Sequence, residues 1–150
     1  MKKTRVSHLI DPWIDALEAS RDHLVSMLRT KNDSLIDQAS RWHFQAARDL
    51  DLRVQEVVQS MKYKENPLRP KDLTDLISSF SKLRQQVERD YVQAEKMNRS
   101  GNKQARKAMS AAKKSEHALR EFARHLRWEL IQFGQWGEKM VEALGVDQWL

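Results

Sequence analysis

Apolar residues recur along this chain every three or four positions, which is the spacing of one face of an α-helix. The first series starts after Asp11 and Pro12, a pair typical of a helix start. Aspartate caps free backbone N–H groups, and proline needs no donor at the first helical position. Ile14 and Leu17 continue the series. We therefore predict a first helix beginning at Asp11 and a turn over residues 30–33.

A second helix is predicted over about residues 34–62. Its predicted apolar face consists of residues at helical spacing: Leu35, Ala39, Trp42, Ala46, Leu50, Val54, Val57 and Met61. His43 lies next to Trp42 and is predicted to be a half-buried structural histidine. The segment that follows contains Pro67 and Pro70, which lack donors and bias the preceding residues away from helix.

A third helix is predicted over about residues 71–98. Its apolar residues occupy the a and d positions of a heptad, which is the pattern of a seam that lies along another helix: Leu73, Leu76, Phe80, Leu83, Val87, Ala94 and Met97. Asp90 is the one polar residue in this series. Gly101 then predicts a C-terminal glycine cap, and Asn102 begins a new helix.

A fourth helix is predicted from Lys103 to about Leu144. The first third of its apolar series is alanine with one methionine, so this part is expected either to pack closely on a neighbour or to project as an arm. Gly134 and Gly137 are expected to bend the helix. The last residues, 145–150, are expected to fold back or to dock on a partner.

The predicted fold is all-α. We expect a single domain over residues 1–150, built as an antiparallel bundle of about four helices of which the last three are long. The heptad of the third helix and the tryptophan-rich C-terminus favour assembly with other protein subunits. A homo-oligomer or a larger complex is therefore expected, although the number of subunits stays open.

The excess charge of the chain is concentrated in one place. Its net charge is +6, and residues 102–127 hold eight Lys or Arg against two Glu. Basic residues follow one another there at steps of three, four or seven, so they share one helix face about 36 Å long. We call this face the basic stripe: Lys103, Arg106, Lys113, His117, Arg120, Arg124 and Arg127.

The order of charges along this helix is the reverse of the order that the helix macrodipole favours. The macrodipole favours acidic residues in the first turn and basic residues in the last. Residues 128–150 hold four acidic residues against one lysine, so the charge order of the helix is the unfavourable one. Stability of an isolated helix therefore does not explain the stripe. We expect something outside the helix to use it.

Cations at this spacing can replace the counterions condensed around phosphates. We therefore expect a non-catalytic protein that binds the DNA or RNA backbone as a small subunit of a nucleoprotein assembly. Phage-packaging components and CRISPR small subunits are similar in size and charge only. The expected contact residues are Lys103, Arg106, Lys113, Lys114, Arg120, Arg124 and Arg127. Backbone contacts leave open DNA or RNA and single or double strands.

Two alternatives remain at this stage. The first is a helical adaptor or scaffold that docks the stripe on an acidic protein partner. The second comes from residues 120–125, Arg-Glu-Phe-Ala-Arg-His, an Arg-x4-His pattern that resembles the motif of the HEPN ribonucleases. In that family a polar residue, often Asn, follows the Arg, where this chain has Glu121. The resemblance implies that Arg120 and His125 act on the scissile phosphate, with His125 as general acid or base.

Composition narrows the other classes of function. The chain has no cysteine, so disulfides, thiolate chemistry and cysteine-based zinc sites are excluded. Its histidines have no metal-ligand spacing, and no glycine-rich phosphate loop occurs, so we predict no metal and no cofactor. No apolar run approaches the roughly 18 residues of a membrane span. We expect a cytoplasmic protein without a membrane partner.

Overall fold

The computed structural model describes residues 9–62 and 68–150. These residues form α-helices, one short 3-10 helix and no strand, which confirms the all-α prediction. The elements are α1 (Asp11–Leu28), α2 (Asp33–Lys62), α3 (Pro70–Arg99), α4 (Ala105–Ile131), α5 (Gly134–Leu144) and the 3-10 helix Val146–Trp149. No helix in the described ranges has the length and apolar character needed to cross a membrane.

The four long helices form two antiparallel hairpins. In the first hairpin, Ser20 of α1 lies 3.0 Å from His43 of α2. In the second, the hydroxyl of Ser115 in α4 donates to Asp90 of α3 over 3.1 Å. Both hairpins turn at the same end of the bundle, which we call the hairpin end, at residues 29–32 and 100–104.

The hairpins dock with parallel helices side by side. On one side α2 runs along α4, because Gln104 donates to Asp37 and His117 contacts Asp51 further along both helices. On the other side α1 runs along α3, where Ser79 donates to a carboxylate oxygen of α1. The order around the bundle is therefore α1, α2, α4, α3, and the described parts of α2 and α3 lie on a diagonal.

The first helix begins at Asp11, one residue earlier than a helix with Asp11 as its N-cap would begin. Ile10 is the N-cap residue, and Asp11 is already helical, so the prediction of Asp11 as the cap is wrong by one position. The carboxylate of Asp11 is used between helices instead. It accepts a 2.8 Å hydrogen bond from Ser79 of α3 and lies 3.9 Å from the ammonium of Lys82. Pro12 occupies the first turn as predicted.

The apolar face of α2 is rotated from the predicted one. Leu35 and Trp42 were expected in the core, but they are 38% and 48% exposed. Ile36 and His43 take their places and are buried. The remaining predicted residues of this face are buried as expected: Ala39, Ala46, Leu50, Val54, Val57 and Met61. His43 is thus fully buried rather than half-buried, because its ring has polar partners in the core.

The seam predicted on α3 is confirmed, since every one of its seven apolar residues is buried. At the end of α3, Gly101 has a φ of 70°, a left-handed conformation that glycine adopts without strain. The N–H groups of Gly101 and Asn102 donate to the carbonyls of Asn98 and Met97. These two bonds form a Schellman motif, which confirms the predicted glycine cap.

The alanine-rich start of α4 packs closely on its neighbours and does not project as an arm. Ala105 and Ala108 are buried in a small cluster at the hairpin end together with Ala39 of α2, Ala94 and Met97 of α3. Small side chains allow the helix backbones to approach, so the buried face of α4 packs closely on α2 and α3. The cations on the opposite face of α4 are therefore carried by a helix that is packed into the bundle along its first turns.

The predicted fourth helix is two helices. α4 ends at Ile131, and Gly134 turns the chain with a φ of 65° before α5 starts. The Cα of Gly137 lies against the last turn of α4, where a Cβ would overlap the carbonyl oxygen of Leu130. Such a close approach closes the turn, so α5 folds back instead of extending the helix to Leu144.

The C-terminal residues then pack on α3 and α4, as one of the two expectations stated. The guanidinium of Arg84 in α3 donates to the carbonyl of Leu144 over 2.7 Å. That of Arg120 in α4 donates to the carbonyl of Trp149 over 3.1 Å. Val146 is fully buried beneath this segment.

Candidate nucleic-acid interface

The basic stripe runs along the outer face of α4, but its two halves have different surroundings. The four residues nearer the C-terminus of α4 have partners within the chain: His117, Arg120, Arg124 and Arg127. The residues nearer the hairpin end have none among the described residues. The stripe is therefore divided at about His117 into a paired half and an unpaired half.

Arg120 holds the paired half against the C-terminal segment. Besides the carbonyl of Trp149, it bonds Glu116 at 3.3 Å, and Glu116 accepts a 2.9 Å hydrogen bond from the phenol of Tyr91 in α3. The guanidinium is thus fixed by partners on two elements. Two hydrogen bonds of this guanidinium are therefore made inside the molecule.

Arg124, Arg127 and His117 of the paired half each contact a carboxylate. Arg127 contacts Asp147 of the 3-10 helix at 3.0 Å, and Arg124 contacts Glu121 at 3.1 Å. His117 lies 2.7 Å from Asp51 of α2. One of the four acidic residues of the C-terminal part, Asp147, therefore folds back on the stripe. Part of the positive charge of the stripe is therefore compensated by carboxylates of the same chain.

The unpaired half presents cations to solvent. Lys103, Arg106, Lys113 and Lys114 are exposed, and Lys107 is half-buried between them. None of these side chains forms an ion pair with any residue of the described ranges. We call this group the unpaired basic face: Lys103, Arg106, Lys107, Lys113 and Lys114.

A further cation lies beside this face on α2. The contacts of Asp37 with Gln104 and of Asp51 with His117 fix the register of the two parallel helices. In that register Arg48 lies level with Lys114, and Arg48 is exposed without an ion pair in the described part of the chain. Sequence reasoning missed Arg48 because its proximity depends on the pairing of helices distant in the chain.

The residues of the Arg-x4-His pattern do not converge. A separation of five residues corresponds to a net rotation of about 140° around the helix axis. The side chains of Arg120 and His125 therefore point to different sides of α4. Arg120 faces α3 and the C-terminal segment, whereas His125 faces a groove whose other wall contains Val58 of α2. The chain brings Glu129, not Arg120, close to His125, at 3.4 Å.

A buried polar network joins the four long helices, and sequence reasoning did not find it. Asp90 of α3 is its centre. One carboxylate oxygen lies 3.0 Å from Arg21 and 3.3 Å from His43, and the other accepts from Ser115. Arg21 also donates to the carbonyl of Gln86 over 3.2 Å. Asp90, the one polar residue in the heptad of α3, was the sequence signal that pointed to this network.

In this network a serine, a histidine and an aspartate are in contact, as in a hydrolytic triad, but all three side chains are buried in the core. His43 lies 3.0 Å from the hydroxyl of Ser20 and 3.3 Å from Asp90. All three residues are at most 2% exposed, and the hydroxyl of Ser20 donates to the carbonyl of Leu17. A substrate has no access to that hydroxyl, so the arrangement stabilises packing and does not form a hydrolytic site.

Tyr91 is expected to titrate at high pH and to link stability to pH. Burial raises the pKa of Tyr91 from 10.0 to about 12, and its hydrogen bond to Glu116 acts in the same direction. A raised folded-state pKa stabilises the fold below the unfolded pKa. The free energy of unfolding should therefore decline as the pH rises from about 10 to about 12. Phenolate absorbance and denaturation measured across this range check the decline. Equal curves for the wild type and Tyr91→Phe would contradict it.

Within the described ranges, no group of three or more histidine and carboxylate side chains is arranged to hold a metal ion. The candidate interface is therefore a charged surface: the unpaired basic face, with Arg48 beside it. No protein-family model matches the chain, and comparisons with curated proteins and with solved structures find no match either.

Proposed function

We propose that this protein binds the phosphate backbone of a nucleic acid, without catalysis, through the unpaired basic face. The observation that carries the proposal is that these cations are exposed and have no acidic partner among the described residues. The proposal moves the centre of the expected contact toward the hairpin end. Arg120 and Arg127 contribute less, because each is held by the C-terminal segment.

The geometry of the face suits a phosphate track. From Arg106 to Lys114 the face extends about 12 Å along α4, and Lys103 lies in the turn just before this helix. Cations that already have carboxylate partners gain less from a phosphate, whereas unpaired cations release its counterions without first breaking an ion pair. Lys side chains act as point charges, so they recognise the backbone and not the bases.

Binding should weaken steeply with salt and depend on four side chains. We expect Lys103→Gln, Arg106→Gln, Lys113→Gln and Lys114→Gln together to abolish most of the affinity. Four phosphate contacts predict a slope of log K against log salt of about −3.6 for duplex DNA, and about −2.8 for a single strand. Fluorescence anisotropy with labelled DNA and RNA over a salt series measures both the affinity and the slope.

The matched control removes the same number of charges from other surfaces. Lys71, Arg89, Lys96 and Lys139 are exposed and lie outside the unpaired basic face. Their joint replacement by Gln should leave most of the binding and the slope unchanged. If both quadruple variants lose affinity equally, the binding reflects net charge alone and the proposed site is wrong.

Exposed apolar side chains favour a subunit role. Ile131 and Trp136 are 40% and 51% exposed at the end of α4 and the start of α5. Tryptophan is enriched in protein interfaces, where it supplies large contact area. We therefore include assembly with other protein subunits in the proposal. The adaptor alternative would gain support if the wild type bound no nucleic acid.

A further inference from the structure

A groove between α2 and α4 lies beside the C-terminal part of the basic stripe. It has a volume of about 370 Å³ and is lined by Val58, Lys62, Glu121, Arg124, His125 and Trp128. The indole of Trp128 is 53% exposed, although a tryptophan is usually buried for most of its surface. The groove therefore contains an aromatic side chain of which about half is open to solvent.

The ring of His125 lines the same groove and stacks on the indole of Trp128, with 6.3 Å between the ring centroids. The side chain of His125 is 3% exposed, and its Nε2 has no hydrogen-bond partner in the described part of the chain. That atom lies 3.4 Å from a carboxylate oxygen of Glu129 without forming a hydrogen bond. A buried ring nitrogen left without a hydrogen bond is unfavourable. Because this nitrogen is inaccessible to solvent, the contact surface that the groove offers to a ligand is the indole of Trp128 and not the imidazole edge.

Cations stand on both walls of the groove. Arg124 belongs to the basic stripe and also lines the groove, and Lys62 lies opposite it on α2. The ion pair of Arg124 with Glu121 is exposed, with the arginine side chain 67% accessible, and exposed pairs of this kind contribute little. Arg124 can therefore exchange its carboxylate for a phosphate.

We propose that the groove takes a base of a single-stranded nucleic acid, stacked on Trp128. This inference rests on the proposed function and specifies its ligand. The strand would run along α4 from the unpaired basic face to Arg124, about 27 Å from Arg106 at the helical rise, and place one base in the groove. Stacking on an aromatic ring tolerates any base, because every base has a π face. A duplex keeps its base faces covered.

The surroundings of the other exposed tryptophans distinguish them from Trp128. Trp42 is 48% exposed and lines a groove between α1 and α2 that includes Asp49 and no cation. Trp136 is 51% exposed, and its ring contacts Phe133. Neither stands beside a residue of the basic stripe in a groove. Trp42 is the matched control for the loss of an exposed indole, since Trp136 belongs to the surface proposed for subunit contacts.

The test compares a DNA strand of about ten nucleotides, a length typical of single-strand binding modules, with a base-free strand of equal length and with a duplex. The wild type should bind the normal strand more tightly than the base-free one. Trp128→Leu should weaken binding of the normal strand about tenfold, to the level of the base-free strand. Trp128→Phe should keep most of the affinity, and Trp42→Leu all of it.

The outcomes separate this inference from the proposed function. If the base-free strand binds the wild type as tightly as the normal strand, or if Trp128→Leu binds like the wild type, no base occupies the groove and the inference is wrong. The backbone proposal would survive that result. Absence of binding by the wild type to all three ligands would overturn both. Circular dichroism of each variant confirms that it is folded.

Discussion

Asp90→Ala is expected to lower the free energy of unfolding by about 3–5 kcal/mol, because it leaves the guanidinium of Arg21 buried without its carboxylate. The side chain of Arg21 is 5% exposed, and Asp90 is its 3.0 Å partner. The substitution also removes the acceptor of Ser115 and the neighbour of His43. Urea denaturation of the variant, monitored by circular dichroism, measures the loss.

A double variant provides the control. Arg21→Met combined with Asp90→Leu removes both charges and keeps apolar volume, so it should cost less than Asp90→Ala alone. The difference measures the coupling between the two residues. A loss below about 1 kcal/mol for Asp90→Ala would mean that water reaches Arg21, and the buried network would not be a structural element.

Gly137→Ala is expected to destabilise the protein by about 3 kcal/mol, the upper range for an overpacked site. Helix propensity alone predicts the opposite sign, since alanine is better than glycine inside a helix by about 1 kcal/mol. The overlap of the new Cβ with the backbone carbonyl of Leu130 decides the sign, because backbone atoms cannot move aside like a flexible side chain. Thermal and urea denaturation measure the change.

Gly134→Ala is the matched comparison. Nothing lies within 4 Å of a Cβ at Gly134, so the cost there is the left-handed φ of 65°, about 1–2 kcal/mol. Gly137→Ala should therefore be the more destabilising of the two. It should also loosen the C-terminal segment, raising hydrogen exchange around Val146. Unchanged stability of Gly137→Ala would show that α5 does not pack this closely on α4.

The sequence predicts the long helices well because apolar spacing and terminal residues agree there. It fails on the face of α2, where Trp42 and His43 are neighbours and either can face the core. Hydrophobicity favours the tryptophan, but the core at this level contains Asp90 and Ser20, which are partners for an imidazole. The choice depends on residues from other helices, which periodicity cannot include.

The break after α4 has the same kind of cause. Gly134 and Gly137 indicated a bend, but the reversal depends on packing of α5 against the last turn of α4. For the basic stripe, spacing alone placed the cations on one face. It could not reveal that Asp51, Asp147 and the carbonyl of Trp149 approach that face from other elements. Within the described residues, only the half of the stripe nearer the hairpin end has no ion-pair partner.

The buried network has a consequence for how the two hairpins recognise each other during folding. Arg21 and His43 belong to the first hairpin, and Asp90 and Ser115 to the second. Leucine and alanine faces alone would tolerate a sliding of one hairpin along the other by a helical turn. Such a misaligned intermediate would enclose Asp90 and Arg21 without partners, at a cost of several kcal/mol. The network thus selects one docking register from several of similar hydrophobic energy.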